Sequence, residues 1–193
     1  LQSKFDGDVA LPISSTLDGR HVLLEVASDR NPGELYMFDT EAKRIEPFMN
    51  SADWLDRSRL GKAQSAYFKS RDGVDIDVLL TTPAGSNGKN MPLIVHPHGG
   101  PFGVQDLWGY DRDVQMMTAH GYAVLQVNFR GSGGYGKQFQ ELGQKQWGLT
   151  MQDDLTDATQ WAIREGIADR NRICIYGASY GGYASLMGVA KEP

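Results

Sequence analysis

The stretch RICIYGASYGGYASLMGVAK, residues 172–191, decides the fold. Residues 172–177 form a near-continuous apolar run, the pattern of a strand covered on both faces of a parallel sheet. Residues 181–191 start a helix. Between them Gly177-Ala178-Ser179-Tyr180-Gly181 reads G-x-S-x-G. Strand, pentapeptide and helix in that order make a sharp turn that lifts a serine hydroxyl out at the strand's C-terminal end. Glycine at 177 and 181 lets strand and helix approach without Cβ clashes. The helix N-terminus behind the serine adds positive potential where an oxyanion would form. A glycine-rich turn with an incidental serine is the bland alternative, and the flanking elements weigh against it. Cys174, inside the apolar run, reads as a buried and inert thiol.

Upstream, strands and helices alternate. Residues 150–166 carry an apolar stripe of Met151, Leu155, Ala158 and Ala162, with Gly166 as the stop and Thr150 and Asp153 as a capping box. Residues 122–129 are an apolar strand. Residues 111–121 are a short helix closed by Gly121, and residues 92–99 a strand running into a glycine-rich loop. Residues 66–85 read as a hairpin turning at Asp72-Gly73. The alternation implies an α/β, doubly wound sheet over residues 61–193.

Residues 1–60 have a different pattern. Short strands at 20–28, 34–40 and 44–48 are separated by turn signals at Asp18-Gly19, Asn31-Pro32-Gly33 and residues 40–43. Three or four such strands suit an all-β meander of the kind that forms one β-propeller blade. No second copy of the unit is present in the sequence. Residues 51–64 are polar and read as the connection.

Bulk composition narrows the function classes. The net charge is -5 and the 19 basic residues are scattered, which argues against a nucleic-acid partner. No apolar run approaches the roughly 18 residues of a membrane helix, so no membrane partner is expected. A single cysteine excludes an internal disulfide. The compartment is left open.

Ser179 is therefore the candidate nucleophile. The loop HPHGGP, His96 to Pro101, follows a strand and has two glycines whose amides could face an acyl oxygen. The amides of Gly100 and Tyr180 together would make a two-donor oxyanion hole. His98 is expected to brace that loop. A metal site at His96 and His98 lacks further ligands, and neither metal nor cofactor is expected. GSGGYGKQ, residues 131–138, fits G-x-G-x-x-G, and it fits a P-loop up to Gln138, where Ser or Thr is required. No helix of good apolar period is expected directly after it. Nucleotide binding at residues 131–137 stays as an alternative from another functional class. Asp153 and Asp154 read as first-turn carboxylates favoured by the helix dipole.

Taken together, HPHGGP (96–101), NFRGSGGYG (128–136), Trp147 with Asp153, and GASYGGY (177–183) resemble the prolyl oligopeptidase family of serine peptidases. The resemblance covers residues 66–193. Ser-Tyr-Gly-Gly is similar to the acylaminoacyl-peptidase and dipeptidyl-peptidase branches, and Ala178 favours the former. The resemblance implies an α/β-hydrolase domain behind a β-propeller, with residues 1–60 as its last blade and link. It also implies Ser179 as nucleophile acting on short peptides or acyl-peptides, Tyr180 and Phe102 as pocket residues, and a carboxylesterase as the neighbouring alternative. The family's acid and base follow the serine, yet the 14 residues after Ser179 contain neither Asp nor His. The chain is thus expected to be a piece with a truncated sheet, inactive alone. Its open sheet edge would call for self-association or a companion fragment.

Overall fold

The computed structural model describes residues 2–191. Its first unit is an antiparallel meander of β1 (Val9–Ser15), β2 (His21–Ser28), β3 (Asn31–Asp39) and β4 (Arg44–Asn50), paired in chain order. One turn differs from expectation. The chain reverses at Asp29-Arg30, with Ser28 opposite Asn31, so Asn31-Pro32-Gly33 opens β3 instead of forming the turn. The cause is the Asn31 side chain. It is buried and donates to Asp8 Oδ2 at 2.9 Å and to the Val26 carbonyl at 3.1 Å, tying this residue into the sheet.

The second unit is a five-stranded mixed sheet. Its strands are β5 (Lys62–Lys69), β6 (Asp75–Thr82), β7 (Met91–Pro97), β8 (Ala123–Asn128) and β9 (Ala168–Ile175), in the spatial order β5-β6-β8-β7-β9. The β5–β6 hairpin turns at Gly73, whose φ is 87°. β6 joins β8 antiparallel, while β7 pairs in parallel with β8 and with β9. Helices cover both faces, as a doubly wound sheet requires. α1 (Arg112–Ala119) buries Val114 and Met117 against Ile94 and Val124. α3 (Thr150–Arg164) and α4 (Tyr180–Lys191) lie on the other face, where Met151, Leu155, Ala158 and Ala162 meet Leu93, Val95, Leu125 and Val127. Alternate residues of β7 and β8 thus serve alternate faces.

Two local expectations are corrected. β9 is the outermost strand of the described sheet, so most of it is exposed and Cys174 is an exposed thiol, not a buried one. Helix α3 has no capping box: its N-cap is Leu149, whose carbonyl accepts from the amides of Gln152 and Asp153. The Thr150 hydroxyl donates to Gln146 Oε1, and Asp153 instead pairs with Lys191. Directly after the glycine-rich loop comes the short helix α2 (Lys137–Leu142), six residues with no apolar period, in keeping with the sequence.

Gln115 of α1 joins the two units. Its Nε2 donates to the carbonyls of Asp29 and Gly61, and its Oε1 accepts from the Gly61 amide at 2.8 Å. Asp29 also accepts from the Ala63 amide at the start of β5.

Candidate active site

The turn between β9 and α4 holds Ser179 at φ 57°, the left-handed region that a residue with a Cβ enters at a cost of order 1–3 kcal/mol. The turn is fixed from two sides. A Cβ on Gly177 would stand 2.7 Å from the Gly181 backbone, and one on Gly181 would run into the Pro97 carbonyl at the end of β7. The strained serine is exposed, and its Oγ accepts and donates no hydrogen bond among the described residues.

The loop after β7 crosses this turn. A Cβ on Gly99 would sit 3.5 Å from the Ala178 carbonyl and 3.6 Å from Ser179 Cβ. Gly100 follows, exposed and at φ 118°. Among the described residues, neither the Gly100 amide nor the Tyr180 amide donates a hydrogen bond. Gly99 thus brings the loop against the Ser179 turn, and the Gly100 and Tyr180 amides in these two segments are unspent among the described residues.

His98 braces the loop, as expected. Its Nδ1 lies 2.7 Å from the Gly99 carbonyl, its Nε2 2.8 Å from Ser132 Oγ, and its ring stacks on Phe129 with centroids 4.4 Å apart. His96 Nδ1 is 2.7 Å from the Tyr176 carbonyl. Both rings are thus engaged with the chain itself. Asp106 lies in the electrostatic reach of both histidines; burial pushes its carboxyl above the ordinary value, against their pull, and Oδ2 has no partner among the described residues.

The two pocket residues named from sequence are placed differently from one another. The Tyr180 ring is 3% exposed, packed among Phe129, Trp147 and Tyr183. Burial raises its phenol well above the ordinary value. Trp147, edge-on to that ring, is the exposed member of the cluster. Phe102 is half-buried, its ring edge against Gly131.

In the loop 131–137 the first three amides are spent on the chain itself, while those of Gly134 to Lys137 donate no hydrogen bond among the described residues. Gly131 donates to the Phe139 carbonyl, Ser132 to Phe129 and Gly133 to Val104. A phosphate cradle needs such donors free. Close packing calls for glycine at two of its positions: a Cβ on Gly133 would meet the Gly103 carbonyl at 2.6 Å, and one on Gly134 would run into the Gln105 side-chain amide.

Sequence reasoning missed the cluster beneath this loop. Asp154 is fully buried, not a dipole-facing surface carboxylate. It accepts from Arg130 Nε at 2.9 Å, Nη2 at 2.7 Å and the Arg130 amide at 2.9 Å. Arg130 also donates to both carboxylate oxygens of Asp72 at 2.7 and 2.9 Å. Together with the Ser70 hydroxyl, the Arg130 guanidinium holds the Asp72 carboxyl far below its ordinary value. Only the run Asn128-Phe129-Arg130-Gly131 hinted at it: an arginine between an apolar strand and glycines needs buried partners.

Residues 108–193 match the prolyl oligopeptidase family. The chain is 34% identical to dipeptidyl aminopeptidase BIII of Pseudoxanthomonas mexicana, over 97% of this chain and 28% of that protein. Among solved structures it is similar to a puromycin-hydrolyzing peptidase of Mycobacterium tuberculosis, with TM-score 0.75 and 27% identity, over 90% of this chain and 28% of that one. It is also similar to the Pyrococcus horikoshii acylaminoacyl peptidase, with TM-score 0.74 and 25% identity, over 95% of this chain and 29% of that one. The chain therefore spans under a third of the length of these relatives.

Proposed function

The chain belongs to the prolyl oligopeptidase family, and on that premise we propose that it carries the nucleophile half of a serine peptidase active site. The observation that carries this reading is the strained, exposed Ser179, with the Gly99–Gly100 loop packed against its turn and the Gly100 and Tyr180 amides unspent. Ser179 Oγ attacks a peptide carbonyl. The developing oxyanion takes the Gly100 and Tyr180 amides, each such donor being worth about 10²–10³ in rate. The amine leaves and Ser179 remains acylated until water releases it.

Attack requires a base to take the Oγ proton. All four histidines, His21, His96, His98 and His120, precede Ser179. His96 and His98 are bound to carbonyls, and His120 Nδ1 lies 2.8 Å from the Met116 carbonyl. The base and its orienting acid are proposed to come from polypeptide outside these 193 residues, which alone would be inactive. A further segment, a second copy or a companion chain would cover the open edge of β9.

The proposed substrates are short peptides or acyl-peptides. The names of the relatives, a dipeptidyl aminopeptidase and an acylaminoacyl peptidase, favour release of one or two N-terminal units. Trp147, backed by Tyr180, offers an apolar wall, with Phe102 across the loop as a second contact. Ester hydrolysis on the same site is the second reading; the β1–β4 meander favours the peptidase.

The test is turnover of acyl-peptide and dipeptidyl anilides by the 193-residue chain and by a longer protein that carries it. The longer protein should turn over and lose activity in Ser179→Ala. Robust turnover by the 193 residues alone, abolished by the same substitution, would overturn the split-site reading.

A further inference from the structure

We propose that His98 is a positioning residue that sets which way the Gly100 amide points; this rests on the reading of Gly100 as an oxyanion donor. A carbonyl oxygen can only accept, so the 2.7 Å contact between His98 Nδ1 and the Gly99 oxygen puts a proton on Nδ1. The Gly99 carbonyl and the Gly100 N–H belong to one planar peptide unit, which is trans. In such a unit the C=O and N–H point in opposite directions. Holding the oxygen toward the buried His98 ring therefore turns the Gly100 N–H the other way.

The peptide needs this restraint. Gly99 and Gly100 have no Cβ to limit rotation, Gly100 stands at φ 118°, and its amide makes no hydrogen bond among the described residues that could hold it. A flipped Gly99–Gly100 peptide would present a carbonyl oxygen where a donor is required. The ring that prevents the flip is itself fixed. It is buried, stacks on Phe129, and has Nε2 2.8 Å from Ser132 Oγ, which itself lies 2.6 Å from the Phe129 carbonyl, the one hydroxyl proton serving one of these two contacts. The restraint thus runs from β8 through Phe129 and Ser132 to His98 and the loop. The G-S-G segment that resembles a nucleotide loop has a use here: Ser132 is the residue that fixes the ring.

Two conservative substitutions separate this role from simple bracing. In His98→Asn the side-chain amide reaches the place of Nδ1 and can still donate to the Gly99 oxygen, but the contact to Ser132 is gone. In His98→Gln the amide reaches the place of Nε2 and Ser132, but the Gly99 contact is gone. In a longer, active protein carrying this segment, His98→Asn should stay within about tenfold of the parent kcat, while His98→Gln should fall by about 10²-fold or more with little change in KM. Equal losses in the two variants, or the reverse order, overturn the proposal. A Ser179→Ala control in the same protein reports on the nucleophile reading separately. Should that protein prove inactive, histidine-labelled NMR of the 193-residue chain reads the contact directly. A slowly exchanging Nδ1–H on His98, retained in Ser179→Ala, is expected, and a ring lacking that proton overturns the proposal.

Discussion

Ser179 owes its backbone angle to two glycines, not to its own preference. The turn brings Gly177 and Gly181 into contact, and the end of β7 closes on Gly181. Gly181→Ala would therefore push a methyl into the Pro97 carbonyl. Overpacking of this kind typically costs 1–3 kcal/mol, and here the strand-to-helix turn is what must move. The variant should show a lower denaturation midpoint and a serine with altered reactivity; unchanged stability in urea would show that the turn is looser than described. This part of the site was legible in the sequence, because G-x-S-x-G between a strand and a helix has few other uses. The direction of the Gly100 amide was not legible, because it is set by His98 and Ser132, 34 residues apart in the chain.

Between elements, polar contacts buried at the seams hold the arrangement. Gln115 satisfies the backbone of Asp29 and Gly61 from within α1. Gln115→Ala would strand those groups away from water, at about 1–3 kcal/mol for each left unpaired. Thermal unfolding should shift down, and hydrogen exchange at Gly61 should accelerate. Asp154→Ala is expected to be more damaging, about 3–5 kcal/mol, because it leaves the buried Arg130 with only the half-exposed Asp72. Asp72 also predicts a pH effect. Its folded carboxyl is held below the ordinary value of 3.8 by Arg130 and Ser70, so its stabilising share is present above that value and is lost as the pH falls below it. Wild type should exceed Asp72→Asn in stability near neutrality, and the two melting curves should converge in acid. A constant gap across that range would contradict the assignment. Apart from the hint given by Arg130 between an apolar strand and glycines, these contacts have no local signature. A glutamine on a short helix and an aspartate in a first helical turn read as surface residues until the tertiary fold buries them. The stripe of α3, in contrast, followed directly from 3.6-residue spacing.

At the scale of the molecule, the meander and the mixed sheet were both readable from periodicity and turn signals, and the helices on two faces followed from the alternation of strand and helix. What periodicity could not show was position within the sheet. Residues 172–177 look like a central strand, yet β9 lies at the edge of the described sheet, and Cys174 is exposed as a result. The Ser179 turn and α4 follow β9 directly and the Gly99–Gly100 loop follows β7, so the surroundings of the proposed nucleophile are built within the 193 residues, while its proposed base is not among them. The central claim is that Ser179 is the nucleophile. A fluorophosphonate probe applied to a longer protein carrying this segment, followed by peptide mass mapping, tests it most directly. The account predicts one adduct, on Ser179, absent from Ser179→Ala; a wild-type protein that hydrolyses peptides yet carries the adduct on another residue, or none, would contradict it.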